Sequence, residues 1–313
     1  MTDVVIIGAG TAGLSAAIYT VRAGKSALVL EAASYGGQIV NTPDIENYPG
    51  IAHISGFDFA TGLYNQAKDL GADIRFERVT GIITEGDVKK VTTTQNEYEC
   101  KAVILATGAK NRPLGLPNEK ALVGKGVSYC ATCDGMFYRN KVVAVNGGGN
   151  TALEDAQFLS NYCEKVYVIH RRDQFRADQK EVERLKAKAN VEFVLDSTIT
   201  KLNEDASGLT SLEVTNKNTG ETRTIEVSGL FVAIGQAPDN EAFSNVTNLD
   251  EKGYIKAGED LKTGTEGIFT AGDCRTKAVR QLTTAASDGA VAALAACGYI
   301  DAMLVLCWTC PKM

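Results

Sequence analysis

The sequence predicts an α/β protein of two Rossmann-like nucleotide-binding domains, three-layer ββα in type, with the second inserted into the first. Two glycine motifs predict it, each entered from a short apolar strand and followed by a helix of small residues. A later strand and turn, Gly267–Asp273, reads as the chain's return to the first domain. The expected division is 1–113 with 240–313 for one domain, and 114–239 for the other.

At 313 residues the chain is long enough to bury two cores. Its 44% hydrophobic and 22% charged residues describe an ordinary globular composition. A net charge of −6 argues against nucleic acid or an anionic membrane as the main partner. Eight cysteines, irregularly spread, are too sparse for a secreted disulfide scaffold. Met-Thr-Asp runs straight into a strand without a basic signal-like segment, and no apolar run approaches about 18 residues. The expectation is therefore a cytoplasmic protein with no membrane span.

The first glycine motif follows the β-branched strand Asp3–Ile7. Gly8-Ala-Gly10-Thr-Ala-Gly13 is G-x-G-x-x-G, and an Ala-rich helical stretch runs from it to about Ala23. Glycines there allow a tight turn and a pyrophosphate close to the helix N-terminus. The next strand, Ser26–Leu30, ends at Glu31, placed to accept from ribose hydroxyls. A tight turn without a ligand is the plainer reading of such glycines alone. Gly36-Gly37-Gln38-Ile39 and Asn47-Tyr-Pro-Gly50 read as polar turns, able to line a flavin. Residues 56–70 read as an amphipathic helix and 73–104 as strands. Val103–Leu105 leads into the tight turn Ala106-Thr107-Gly108. His53 sits in a loop with no second ligand expected nearby.

The second motif repeats the first. Lys141–Val145 is a strand feeding Gly147-Gly-Gly149-Asn150-Thr151-Ala152, which is G-x-G-x-x-A, with a helix expected from about 151 to 162. Strand Lys165–Ile169 ends in His170-Arg171-Arg172-Asp-Gln-Phe-Arg176. Glu31 stands 23 residues after Gly8, and Arg171 stands 24 after Gly147. An acid suits free ribose hydroxyls, whereas arginines suit a 2′-phosphate. The first site thus reads as FAD or NAD and the second as NADP. A solvated basic face is the plainer reading of the three arginines. His170 reads as a positioning residue. A charged helix is expected over 175–187, and strands over 191–232.

Between the motifs lies Ser128-Tyr-Cys130-Ala-Thr-Cys133-Asp134-Gly. Thiols three positions apart close a small, reversible disulfide ring, and Asp134 could exchange protons with a thiolate. Half of a zinc site is the other reading of C-x-x-C. The linker candidates are the turn-rich Pro113-Leu-Gly-Leu-Pro117 and Gly235-Gln-Ala-Pro238. Near the end, Gly272 and Asp273 close a small-residue turn. Asp273 could reach the sugar-like chain of a flavin, or be an ordinary turn residue. Arg280-Gln281-Leu282 precedes a helix, Thr283–Ala296, whose N-terminal dipole would favour charge on a reduced flavin.

In the order GxGxxG, GGQ, ATG, CATCDG, GGGNTA, HRRDQFR and TAGD, the chain closely resembles the low-molecular-weight bacterial thioredoxin reductases along nearly its whole length. The resemblance implies a homodimeric flavoenzyme with no metal, passing electrons from NADPH through FAD to the C-x-x-C pair and then to thioredoxin. It implies that Cys133 faces the flavin, Cys130 attacks thioredoxin and Asp134 donates and accepts the proton. FAD would be held by Gly8, Gly10, Gly13, Glu31, Gly37, Gln38, Asn47, Thr107, Gly108, Gly272, Asp273, Arg280 and Gln281. NADPH would be held by Gly149, Asn150, Thr151, Arg171, Arg172 and Arg176. A rotation between the domains, hinged at the linkers, is also implied.

A second C-x-x-C, Cys307 and Cys310, departs from that family and reads as an extra redox relay or as an inconsequential end. Cys100, Cys163, Cys274 and Cys297 read as packing residues. Related flavoenzymes fed by ferredoxin, or oxidising dithiols with oxygen, would not need the arginine cluster. The flavoprotein partner of peroxiredoxin carries an added N-terminal region not seen here. A zinc module using both C-x-x-C pairs would leave the nucleotide motifs without purpose.

Overall fold

The computed structural model describes residues 1–177 and 179–309, without the side chains of Asn41 and residues 304–309. The chain divides into two compact units, Met1–Lys110 with Ala237–Met313, and Asn111–Gln236.

The first unit begins β1 (Thr2–Ile7), α1 (Thr11–Arg22) and β2 (Ala27–Leu30), then α2 (Gly56–Asp69) and β3 (Asp73–Arg75). β4 (Val79–Glu85), β5 (Val88–Thr93) and β6 (Glu97–Leu105) follow, and β7 (Ala109–Asn111) leads out. The second unit holds α3 (Glu119–Leu122), β8 (Val127–Ser128), α4 (Ala131–Asp134), β9 (Val142–Asn146), α5 (Asn150–Leu159), β10 (Lys165–Ile169) and α6 (Gln179–Lys186). It continues with β11 (Val191–Val194), β12 (Ser197–Asp205), β13 (Gly208–Asn216), β14 (Thr222–Glu226) and β15 (Gly229–Val232). β16 (Gln236–Pro238) leads back to β17 (Ile268–Thr270) and the long α7 (Leu282–Thr309).

In the first unit the sheet order is β3-β2-β1-β6-β5-β4, with β17 also paired to β6. β1 runs parallel to β2 and to β6, and β4, β5 and β6 form an antiparallel meander. β1 has an unbroken apolar run because both its faces are covered. Val4 and Ile6 enter the core shared with α1 and α7; Val5 and Ile7 enter the core under the meander and Phe243–Ile255. α7 continues to Thr309, past the expected Ala296, since Ala292, Ala293, Ala296 and Ile300 all stay buried on the α1 side.

The second unit repeats the plan. Five parallel strands in the order β11-β10-β9-β15-β8 lie between α5 and α6 on one face and the antiparallel sheet β12-β13-β14 on the other. α6 starts at Gln179, not 175: His170–Arg176 is instead a loop, pinned where the Arg176 N–H donates to the Gly148 carbonyl at 2.8 Å. The segment Pro113–Pro117 is not a free linker. Leu114 and Leu116 pack on the second unit's core, and the buried Glu119 carboxylate accepts from the Leu114 and Gly115 amides, both at 2.9 Å. The chain instead crosses at β7 and β16, paired as a separate two-stranded ribbon.

Candidate active site

Cys130 and Cys133 form a disulfide with an S–S distance of 2.14 Å and Cα atoms 5.3 Å apart. The single turn of α4 brings them together: Cys130 caps it, Cys133 lies within it, and the Asp134 N–H donates back to the Cys130 carbonyl at 3.1 Å. With both sulfurs joined to each other in a dinucleotide fold, the half-zinc reading falls away. Ser128, on β8, donates from Oγ to Asp134 Oδ2 at 2.6 Å and accepts from the Cys130 N–H at 3.1 Å. Asp134 Oδ1 is buried with no hydrogen-bond partner among the described residues. Burial pushes the Asp134 carboxyl above its ordinary value, and the Ser128 hydroxyl opposes that only in part. A carboxyl tuned this way is suited to give and take protons beside a thiol. Ser128 was not singled out by sequence: standing two residues before Cys130 places it near the pair, but nothing local names Asp134 as its partner.

In the first unit the glycine motif does what its pattern requires. Gly8 has φ +107°, and a Cβ there would stand 2.3 Å from the Ala106 carbonyl oxygen. A Cβ on Gly13 would stand 1.8 Å from the Gly8 carbonyl, so helix and turn touch backbone to backbone. Gly10 is different: nothing lies closer than 4.0 Å to its missing Cβ, which leaves a cradle a ligand can enter. Glu31 holds this loop, accepting from Ala9 N–H at 2.8 Å and Ala33 N–H at 2.9 Å. The Gly36–Gly37 turn runs alongside through a Gly10–Gly36 bridge, and Gln38 Nε2 donates to the Ala109 carbonyl. Thr107 Oγ donates to Asn240 Oδ1 at 2.7 Å, beside Gly108, whose Cβ position is open. Asn47 Nδ2 donates to Gln281 Oε1 at 3.3 Å. Gly272 packs on Ala12 at the start of α1, where a Cβ would lie 2.8 Å from that of Ala12.

These residues fit FAD on two counts. Neither α1, whose N-cap residue is Gly10, nor α5, whose N-cap residue is Gly149, has a side-chain cap, whereas Ser55 caps α2 by accepting from the Asp58 N–H at 3.0 Å. The first N–H groups of α1 are therefore free to meet a phosphate. Asp273 Oδ1 and Arg280 Nε are buried without hydrogen-bond partners among the described residues, polar groups that a ribityl chain and flavin ring would satisfy. Burial raises the Asp273 carboxyl, with Lys277 and Arg280 pulling the other way.

The second cradle resembles the first. Gly147 and Gly148 are closely packed, by the Ala233 carbonyl at 2.4 Å and the His170 ring at 2.1 Å from their missing Cβ atoms, while Gly149 is open. Asn150 and Thr151 are the first residues of α5. His170 is buried, stacks on Phe175 at 5.1 Å and has its ring nitrogen Nε2 3.1 Å from the Gln174 carbonyl. Burial lowers its pKa and the three arginines add to that, so the ring is a neutral prop under the loop. Arg171, Arg172 and Arg176 are exposed, and none forms an ion pair with a described residue. Three unpaired guanidiniums beside an open glycine fit a nucleotide's 2′-phosphate.

A further sequence expectation is overturned here. His53 does have neighbours: its Nδ1 lies 3.0 Å from Asp44 Oδ2 and 3.6 Å from Glu46 Oε1. The Ile45–Ile54 bridge turns 44–54 into a hairpin and puts these three side chains on its outer face. The cysteines Cys100, Cys163, Cys274 and Cys297 are free and buried; burial pushes the Cys100 thiol up to about 12 and Cys163 up to about 11. Cys310 and the side chain of Cys307 lie outside the described residues. No described helix is long and apolar enough to cross a membrane.

Two glycine-cradled dinucleotide folds in one chain, one of them carrying a redox disulfide, define a nucleotide-dependent disulfide oxidoreductase. Residues 2–289 match the family model of the pyridine nucleotide-disulphide oxidoreductases. The chain is 43% identical over 302 residues to the thioredoxin reductase of Treponema pallidum, covering 96% of this chain and 98% of that one. It is 40% identical over 299 residues to the thioredoxin reductase of Listeria innocua, covering 96% and 94%. The crystal structure of thioredoxin reductase from Streptococcus pyogenes superposes with a TM-score of 0.92 at 39% identity, covering 96% of this chain and 99% of that one. The chain belongs to the pyridine nucleotide-disulphide oxidoreductase family, among its bacterial-type thioredoxin reductases.

Proposed function

We propose that the protein reduces the disulfide of thioredoxin with electrons from NADPH, using FAD. The observation that carries this is the Cys130–Cys133 disulfide with the buried Asp134 directly behind it, in a unit that has its own dinucleotide cradle. Bound FAD would supply the two-electron relay between NADPH and the disulfide. Gly8, Gly10 and Gly13 with α1 bind its pyrophosphate, and Glu31, Asp273 and Gln281 orient the rest. Gly149, Asn150 and Thr151 receive NADPH, with Arg171, Arg172 and Arg176 around its 2′-phosphate.

Two electrons break the Cys130–Cys133 bond and leave two reduced sulfurs, with Cys133 on the flavin side. The Cys130 thiolate attacks one sulfur of the substrate disulfide and expels the other as a thiolate. Cys133 then attacks Cys130, re-forms the disulfide and releases the second substrate thiolate. Asp134 supplies and recovers the proton in these exchanges. The crossings at β7 and β16 serve as hinges for exposing Cys130 to its partner. We place the enzyme in the cytoplasm as a homodimer.

The test is an anaerobic titration of the purified protein with NADPH and with NADH, followed by flavin absorbance and then by thioredoxin reduction. Rapid bleaching by NADPH, slow bleaching by NADH and reduction of thioredoxin are expected. Absence of bleaching by either nucleotide overturns the reading in favour of ferredoxin or oxygen chemistry, which the unpaired arginines argue against.

A further inference from the structure

A buried charge cluster outside the residues assigned above is bonded to the Gly272–Asp273 turn. Asp288, on α7, is 6% exposed and Arg275 is 4% exposed. They pair through both carboxylate oxygens: Arg275 Nε donates to Oδ2 at 2.8 Å and Nη2 to Oδ1 at 2.9 Å. Lys277 Nζ donates to Oδ2 at 3.0 Å, and so does the Gly272 N–H at 2.9 Å. One carboxylate therefore gathers two cations and a main-chain amide in the interior. Fork-shaped pairing of this kind fixes direction as well as distance.

The position of these bonds matters more than their number. Gly272 is next to Asp273, whose Oδ1 awaits a partner. The Arg275 carbonyl accepts from Arg280 Nη2 at 3.3 Å, and the Arg280 guanidinium lies 4.4 Å from the Tyr254 ring centre. Gly289, the residue after Asp288, has its Cβ position 2.2 Å from the Ala12 carbonyl, so α7 touches the first turn of α1 backbone to backbone there. Asp288 thus joins three pieces of the site: the start of α1, the Gly272–Asp273 turn, and the Arg280–Gln281 segment. None of its bonds needs a ligand atom.

We propose that Asp288 is a positioning residue for FAD, whose bonds to Gly272, Arg275 and Lys277 pre-set residues 272–281 in the shape the cofactor needs. The ionised form does this work. Its arginine and lysine partners hold the Asp288 carboxyl below its ordinary value despite burial, so the clamp stays charged at neutral pH. The proposal rests on FAD being the cofactor of this site.

The experiment is FAD titration of the deflavinated full chain, read by quenching of flavin fluorescence, for wild type, Asp288→Asn and Lys277→Met. Asp288→Asn is expected to weaken FAD binding by about tenfold or more, and Lys277→Met by less, since Asp288 keeps its bonds to Arg275 and Gly272 when Lys277 is lost. NADPH binding, which belongs to the other unit, is expected to stay unchanged in both. A purely structural role predicts a lower melting temperature of the apoprotein with FAD affinity unchanged, and that result overturns the proposal. Removing Asp288 strands two buried cations and can prevent folding. Hydrogen exchange on the wild-type apoprotein then decides: a protected Gly272 amide supports the proposal, and free exchange overturns it. Wild type that binds no FAD overturns both this proposal and the functional reading, whereas wild type that binds FAD with variants equal to it overturns only this proposal.

Discussion

Ser128 and Asp134 are joined by a 2.6 Å hydrogen bond to one carboxylate oxygen, while the other oxygen is buried with no partner among the described residues. That asymmetry ties the protonation of Asp134 to a single hydroxyl. Burial raises its pKa, and the bond from Ser128 lowers it. Ser128→Ala therefore raises the pKa further. The pH dependence of single-turnover disulfide exchange should show the Asp134 limb displaced to higher pH. Asp134→Asn should slow the exchange by about 10²–10⁴-fold, the usual weight of a proton-transfer group. An unmoved limb in Ser128→Ala would mean that Asp134 is not the group titrating.

The Asp155 carboxyl on α5 is pushed up to about 7 from 3.8 by burial first and by Glu154 second. A folded-state pKa above the unfolded value means the folded form prefers the neutral acid. Its contribution is fully present below about 4 and is lost as pH rises through about 7. Asp155→Asn, neutral throughout, should therefore melt higher than wild type at pH 8 and close to it at pH 4. Thermal melts at the two pH values check this, and equal shifts at both would remove the carboxyl from the argument.

Replacing Arg171, Arg172 and Arg176 by Ala together should raise KM for NADPH while leaving KM for NADH nearly unchanged. Charge-assisted hydrogen bonds of roughly 1.5–3 kcal/mol each place the loss at about a hundredfold or more. Steady-state kinetics with both nucleotides read it directly. Parallel losses with NADPH and NADH would show the arginines to be a solvated face.

Gly13→Ala puts a methyl group 1.8 Å from the Gly8 carbonyl oxygen, a backbone atom that cannot swing aside. Overpacking of this kind costs about 1–3 kcal/mol and would push the helix off the turn. The variant should purify with little or no bound flavin, while Gly24→Ala, at a position with nothing within 4 Å but φ +76°, should lose stability without losing flavin. Flavin content by absorbance and melting temperature separate the two.

The glycine turns, the arginine cluster and the C-x-x-C pair were legible in the chain because each is a local pattern. A turn that must pass close to a phosphate demands glycine within six residues, and a strand buried on both faces demands an unbroken apolar run such as Val4–Ile7. Element ends were less legible. The helix expected from 175 begins at Gln179 because Arg176 is tied to Gly148, a contact between residues 28 apart. His53 gained Asp44 and Glu46 only when the Ile45–Ile54 bridge formed.

By itself, then, the sequence determined the two glycine turns, each between a strand and a helix, and the redox pair between them, all of which depend on residues near one another in the chain. Tertiary structure alone decided which groups tune and hold that chemistry: Ser128 on Asp134, Asn240 on Thr107, and Asp288 on Gly272 and Arg275. Those partners lie 6, 133, 16 and 13 residues apart. The physical reason is that a buried polar group must find its partner in space. Which partner it finds depends on how strands and helices pack, and no local pattern of residues records that.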